Sequence, residues 1–234
     1  EYDKVGNAME TITQYEYSPI NFQVSSIITY TNDDRKIEKK IYYPENFDLP
    51  VPGTSAIPLL ITNNIVNIPI VTETWQTRGT NKELLSFSAI DFDKVSSGAL
   101  KPIIEYKLIA NAPIPSASAG ILGPTSILRN IPEIKPVSTT TYDANGNAVQ
   151  ANNLLASKVA STIYSHDGQY PIGNIINAER NEVAYSSFED EGGDWAISAG
   201  NYAQGAITGG RCLSTNFNIA SPAVPNTKKY KLSF

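Results

Sequence analysis

The run Val137 to Tyr142 is rich in strand-formers and leads into Asp143-Ala144-Asn145-Gly146-Asn147. No other stretch constrains the fold as strongly. Asn-Gly next to a strand-forming run is the strongest short-range hairpin signal, because both residues accept the positive φ that a tight reversal demands. The hexapeptide Tyr-Asp-x-x-Gly-Asn occurs again at Tyr2-Asp3-Lys4-Val5-Gly6-Asn7. The chain is therefore expected to fold as antiparallel hairpins.

The remaining runs agree. Phe22 to Tyr30 and Ile37 to Tyr43 flank Thr31-Asn32-Asp33-Asp34 and read as a second hairpin. Ile70 to Gln76, with Val71 and Trp75 on one face, and Leu84 to Phe92 flank Arg78-Gly79-Thr80-Asn81. Ile104, Tyr106 and Leu108 alternate with Glu105 and Lys107, as in a half-buried strand. Val159 to Tyr164 and Tyr170 to Ile176 flank His166-Asp167-Gly168. One helical stripe, Ile57, Leu60, Ile61, Asn64 and Ile65, predicts a short helix over 57–66 with Pro58 in its first turn. Ala112 to Pro124 reads as a loop. Only 18% of residues are charged while 13 are Tyr, a balance that suits half-buried strands better than helices.

The net charge of −5 argues against nucleic acid as a partner, since phosphates call for clustered Lys and Arg. The one basic cluster, Arg35-Lys36 with Lys39-Lys40, is interleaved with Asp33, Asp34 and Glu38 and reads as a solvated strand. No apolar run approaches the ~20 residues of a membrane-spanning helix. A lone Cys212 excludes an internal disulfide and reads as a small buried strand residue. The first residue is Glu1 and the last residues, Lys231 to Phe234, read as strand, so a longer parent protein is expected.

The Tyr-Asp-x-x-Gly-Asn motifs resemble the YD repeat of RHS-like bacterial proteins. The downstream stretches Gln169-Tyr170-Pro171-Ile172-Gly173-Asn174 and Val183-Ala184-Tyr185-Ser186-Ser187-Phe188-Glu189 are similar to segments near the end of such repeat regions. The resemblance implies a mainly β fold, with a hairpin shell over residues 1–184. The first strands of a carbohydrate-binding-module-like jelly-roll sandwich would follow over 185–234, truncated. It implies that Tyr2, Asp3, Gly6, Asn7 and Tyr142, Asp143, Gly146, Asn147 are turn and packing residues, with Tyr164 also on the inner face. In the sandwich, Glu189 would hold a structural calcium. Trp195 matches a framework position, with ligand binding as the competing role. The implied location is extracellular or on the bacterial cell surface. Implied partners are other repeats or domains of the same longer chain, a glycan, and the secretion machinery.

His166 is the only histidine, and Asp167 beside it on a strand would point to the opposite face, so adjacency makes no relay; a turn closed by Asp167-Gly168 fits better. Asp143-x-Asn145-x-Asn147 imitates a calcium loop, but Ala148 and Leu154 stand where an EF-hand needs Gly and an acid. The Asn32-Asp33-Asp34 and Glu189-Asp190-Glu191 runs read as solvated turns. Glu73, Glu105 and Glu133 could serve a hydrolase only if two of them converged across a cleft. Trp75 reads as core before it reads as a sugar platform. The expected function is a non-enzymatic scaffold needing no cofactor, with a glycan-binding adhesin as the alternative.

Overall fold

A computed structural model describes residues 11–31, 33–49, 56–165, 168–185, 194, 202–204 and 211–213. The fold is mainly β, an antiparallel open sheet of 11 strands. Its order is β1 (Thr11–Tyr17), β2 (Val24–Thr31), β3 (Arg35–Tyr42), β4 (Val71–Arg78), β5 (Asn81–Lys94) and β6 (Leu100–Leu108). The two-residue β7 (Ile114–Pro115) pairs off the path with β5. Then come β8 (Ile134–Tyr142), β9 (Ala148–Asn153), β10 (Lys158–Ser165) and β11 (Tyr170–Ile176). A separate pair, β12 (Tyr202–Gln204) and β13 (Arg211–Leu213), contains Cys212. Two compact units divide at Thr140/Thr141.

In the first unit, each strand from β1 to β6 pairs with the next in the chain. The single helix α1 (Ile57–Thr62) carries Pro at its start, where the missing N–H costs nothing. It is shorter than the 57–66 stripe predicts because Asn64 takes φ +58°. The N–H groups of Ile65 and Asn64 then donate to the carbonyls of Leu60 and Ile61, a Schellman closure that satisfies the last carbonyls and ends the helix.

Helix and loop together cover one face of the sheet. Phe47, Ile57 and Leu60 from the β3–β4 connection pack with Val71, Trp75, Leu84 and Phe87 of β4 and β5. Ala119, Ile127 and Ile131 from the β6–β8 connection complete the core. Leu84 and Phe87 are both buried although three apart in one strand. The register supplies the reason: Trp75 faces Leu84 while Thr74 faces Ser86, so Leu85 is an extra residue that resets the alternation.

Candidate functional site

Three places carry the polar chemistry of the described residues: the β8–β9 turn with its neighbour turn, a cleft beside them, and a buried ion pair under the sheet.

Asp143 organises the first. Its Oδ1 accepts the N–H groups of Asn145 at 2.9 Å and Asn147 at 2.8 Å. Its Oδ2 accepts one Nδ2 hydrogen of Asn147 at 3.2 Å. Gly146 reverses the chain at φ +84°, a conformation that costs glycine little. The second amide hydrogen of Asn147 goes to the carbonyl of Gly168 at 2.8 Å, in the turn between β10 and β11. Gly168 itself has φ +82°, and a Cβ there would lie 2.4 Å from Asn145 Nδ2 and 2.9 Å from Asn147 Nδ2. The turns of two successive hairpins are thus bonded and packed against each other, and a side chain at position 168 would both strain the backbone and displace the two carboxamides. Tyr142 is half-buried, and that burial raises its phenol above the ordinary tyrosine range. Tyr164 is half-buried too, its hydroxyl 3.5 Å from the Ala148 carbonyl. Tyr2, Asp3, Gly6 and Asn7 lie outside the described residues, as do His166, Asp167, Glu189 and Trp195.

An open cleft of about 460 Å³ lies beside these turns, lined by Asp143, Asn145, Thr162, Tyr164, Gly168 and Arg180 among others. Its charged groups are engaged within the fold. Asp143 is held as above, and Arg180 forks onto both oxygens of Asp194 at 2.9 and 3.1 Å while donating to the Val183 carbonyl at 2.7 Å. Asp194 also accepts the Tyr185 N–H at 2.9 Å. Asp194 is thus ion-paired, while Glu189, Asp190 and Glu191 lie outside the described residues. Among the described residues, no group of three His, Cys, Asp or Glu side chains could hold a metal ion. No helix among them is long and apolar enough to cross a membrane.

The buried pair joins Glu73 of β4 to Arg129 of the β6–β8 connection. Glu73 is fully buried and the Arg129 side chain only 10% exposed. Arg129 Nη2 donates to Oε2 at 3.0 Å and its Nε to Oε1. The Trp75 indole N–H donates to Oε2 at 2.9 Å, and the Tyr42 hydroxyl lies at a longer 3.4 Å. Arg129 Nη1 donates to the Gly120 carbonyl at 2.6 Å and to the Ala119 carbonyl at 3.3 Å. Two cations lie over the Trp75 ring, Arg129 at 5.0 Å and Lys82 at 5.1 Å from its centre. Lys82 in turn holds Glu38 at 3.1 Å. Burial pushes the Glu38 carboxyl up, but the hydrogen bond from Lys82 and the charges of Lys40, Lys82 and Lys36 outweigh it and leave the group below its ordinary value. Burial is also the main reason that the Tyr42 phenol is held well above its usual range, reinforced by the Glu73 charge.

Glu73 is fully buried and bonded by Arg129 and Trp75, so the pair fastens the loop to the sheet rather than presenting an exposed acid or base. Glu105 is bonded to Lys107 at 2.9 Å and to Ser138 at 3.3 Å. Glu133 contributes its backbone carbonyl to Ile109. The sequence singled out Glu73 and Trp75 but gave no sign of Arg129, which stands 56 residues from Glu73. Likewise Arg180 has no visible link to Asp194. The chain matches no protein-family model, and a search of curated proteins returned no match.

Proposed function

We propose that this chain is a non-enzymatic scaffold segment, a shell or stalk, of a large exported bacterial surface protein of the YD-repeat, RHS-like type. One observation carries the reading: the polar residues of the Tyr142–Asn147 motif are consumed in closing one hairpin turn and fastening it to the next at Gly168. A motif spent in this way propagates a stack of hairpins; it leaves no free acid, base or nucleophile for turnover. The strand order supports the same reading, because a meander of next-neighbour pairs is the geometry that hairpin-by-hairpin growth produces. In this role the chain acts by burial and backbone pairing, and its partners are neighbouring repeats or domains of the same longer chain. Contact with a glycan or with secretion machinery would be the work of other parts of that protein. The adhesin alternative rests on Trp195, and no described residue favours it.

Electron cryomicroscopy of the native protein tests this. The scaffold reading expects residues 11–185 to form consecutive turns of a continuous β wall at the cell surface. A free-standing module on a tether, with the β8–β11 turns facing a bound ligand, would refute it.

A further inference from the structure

Asn145-Gly146 is the one place in the sequence where glycine follows asparagine. The pairing carries chemistry of its own. The backbone nitrogen of the second residue can attack the side-chain carbonyl carbon of the first, and glycine, having no Cβ, leaves that approach unobstructed. Here the two reacting groups are held differently. Asn145 is exposed, while Gly146 is buried. The nitrogen that would attack is engaged, because the Gly146 N–H donates to the Asp143 carbonyl at 3.1 Å. The preceding peptide is held as well, the Asn145 N–H donating to Asp143 Oδ1 at 2.9 Å. The Asn145 carboxamide stands over Gly168, and Asn147 ties the same turn to the Gly168 carbonyl at 2.8 Å. Attack requires the Gly146 nitrogen to give up its proton and turn toward Asn145 Cγ. These bonds must therefore open before the reaction can begin.

We propose that Asn145 is a self-modification site, converted to aspartate and isoaspartate when the 143–147 turn opens, with the bond from Asn147 to Gly168 as its gate. The Gly146 nitrogen forms a bond to Asn145 Cγ and the Cγ–Nδ2 bond breaks. The proton lost from Gly146 is made good on the leaving group, which departs as ammonia, and a cyclic succinimide remains. Water then opens the ring. Cleavage of the new N–Cγ bond gives aspartate on the original backbone; cleavage of the old peptide bond gives isoaspartate, whose chain runs through Cγ and is longer by a carbon. Nothing is oxidised or reduced, and solvent water is the only co-reactant. Either product sets a second carboxylate in the turn that Asp143 organises, where like charges repel. Isoaspartate also displaces Gly146 from the Asp143 carbonyl. The conversion runs one way, so a turn that has reacted closes less well than before.

Peptide mass spectrometry on the whole chain in mildly alkaline buffer tests the proposal, following the amide-to-acid mass gain and the isoaspartate fraction at position 145 with time. Wild type and Asn147→Ala are each incubated folded and in urea, where the ungated rate is read. In urea Asn145 is expected to react ahead of every other asparagine, and in the folded wild type much more slowly. In Asn147→Ala the folded rate, divided by that variant's own rate in urea, should rise about five-fold, the extra opening that loss of an ordinary hydrogen bond allows. Far-ultraviolet circular dichroism checks that the variant keeps the wild-type fold, and the wild-type comparison stands by itself if it does not. Another asparagine reacting first in urea, a folded wild type as fast as the unfolded chain, or an unchanged ratio in folded Asn147→Ala would each overturn it. The inference rests on the bonds of this turn and not on the scaffold reading. Its readout is confined to residue 145, so its failure leaves the coupling to β11, on which that reading depends, to a separate test.

Discussion

Removing Arg129 should cost this fold more than removing any exposed charge. In Arg129→Met, the Glu73 carboxylate stays fully buried, keeping the Trp75 indole N–H at 2.9 Å and the distant Tyr42 hydroxyl. Both guanidinium bonds are lost, and the cation over Trp75 goes with them. Stranding one member of a buried pair costs about 3–5 kcal/mol, against about 0–1 kcal/mol for a pair in solvent. The Gly120 carbonyl loses its 2.6 Å donor as well, so the upper part of that range is expected. The double replacement Glu73→Leu with Arg129→Met removes both charges, and should recover most of the loss. Urea unfolding of wild type, both single variants and the double variant gives the coupling directly. A single-variant loss below about 1 kcal/mol, with no coupling, would refute the reasoning, because the pair would then behave as if solvated.

Other expectations follow from the same geometry. Gly168→Ala must move two carboxamides and adopt a positive φ, so a loss of about 1–3 kcal/mol in urea unfolding is expected. Leu84→Ala, at a fully buried site, should cost about 2–5 kcal/mol in the same assay. Phe22 is 77% exposed at φ +59°, so Phe22→Gly should raise the melting temperature, relieving about 1 kcal/mol of backbone strain. The raised Tyr42 phenol predicts an alkaline limit: its contribution is intact below the unfolded tyrosine value of about 10 and is lost as pH climbs beyond it. Tyr42→Phe should flatten that decline when stability is followed from pH 8 upward, about two units below the unfolded value.

How much was legible in the sequence follows from how local each determinant is. The hairpin at Asp143 was readable because its bonds span at most four residues, Asp143 to Asn147. Helix α1 was readable in place, and its stop at Asn64 was hidden only in the positive φ that Asn tolerates. Leu84 and Phe87 broke the period of two because Leu85 is inserted, and that register belongs to β4 as much as to β5. β1 was passed over: all its residues are exposed, so no buried face marked it, although the Ser18–Phe22 turn follows it directly. The long-range partners were out of reach. Arg129 and Glu73 meet only because the β6–β8 connection crosses the sheet, and Arg180 and Asp194 stand 14 residues apart in the chain. Neither pairing leaves a spacing rule in the sequence.

The central claim is that the turn motif ties hairpin to hairpin, and hydrogen exchange followed by mass spectrometry on Asn147→Ala tests it most directly. Loss of the bond to Gly168 should raise exchange together in the 143–149 turn and in β11, although Gly168 stands 21 residues from Asn147 in the chain. If exchange rises around 143–149 alone and β11 keeps its wild-type protection, the turns are independent and the scaffold account fails at its first joint.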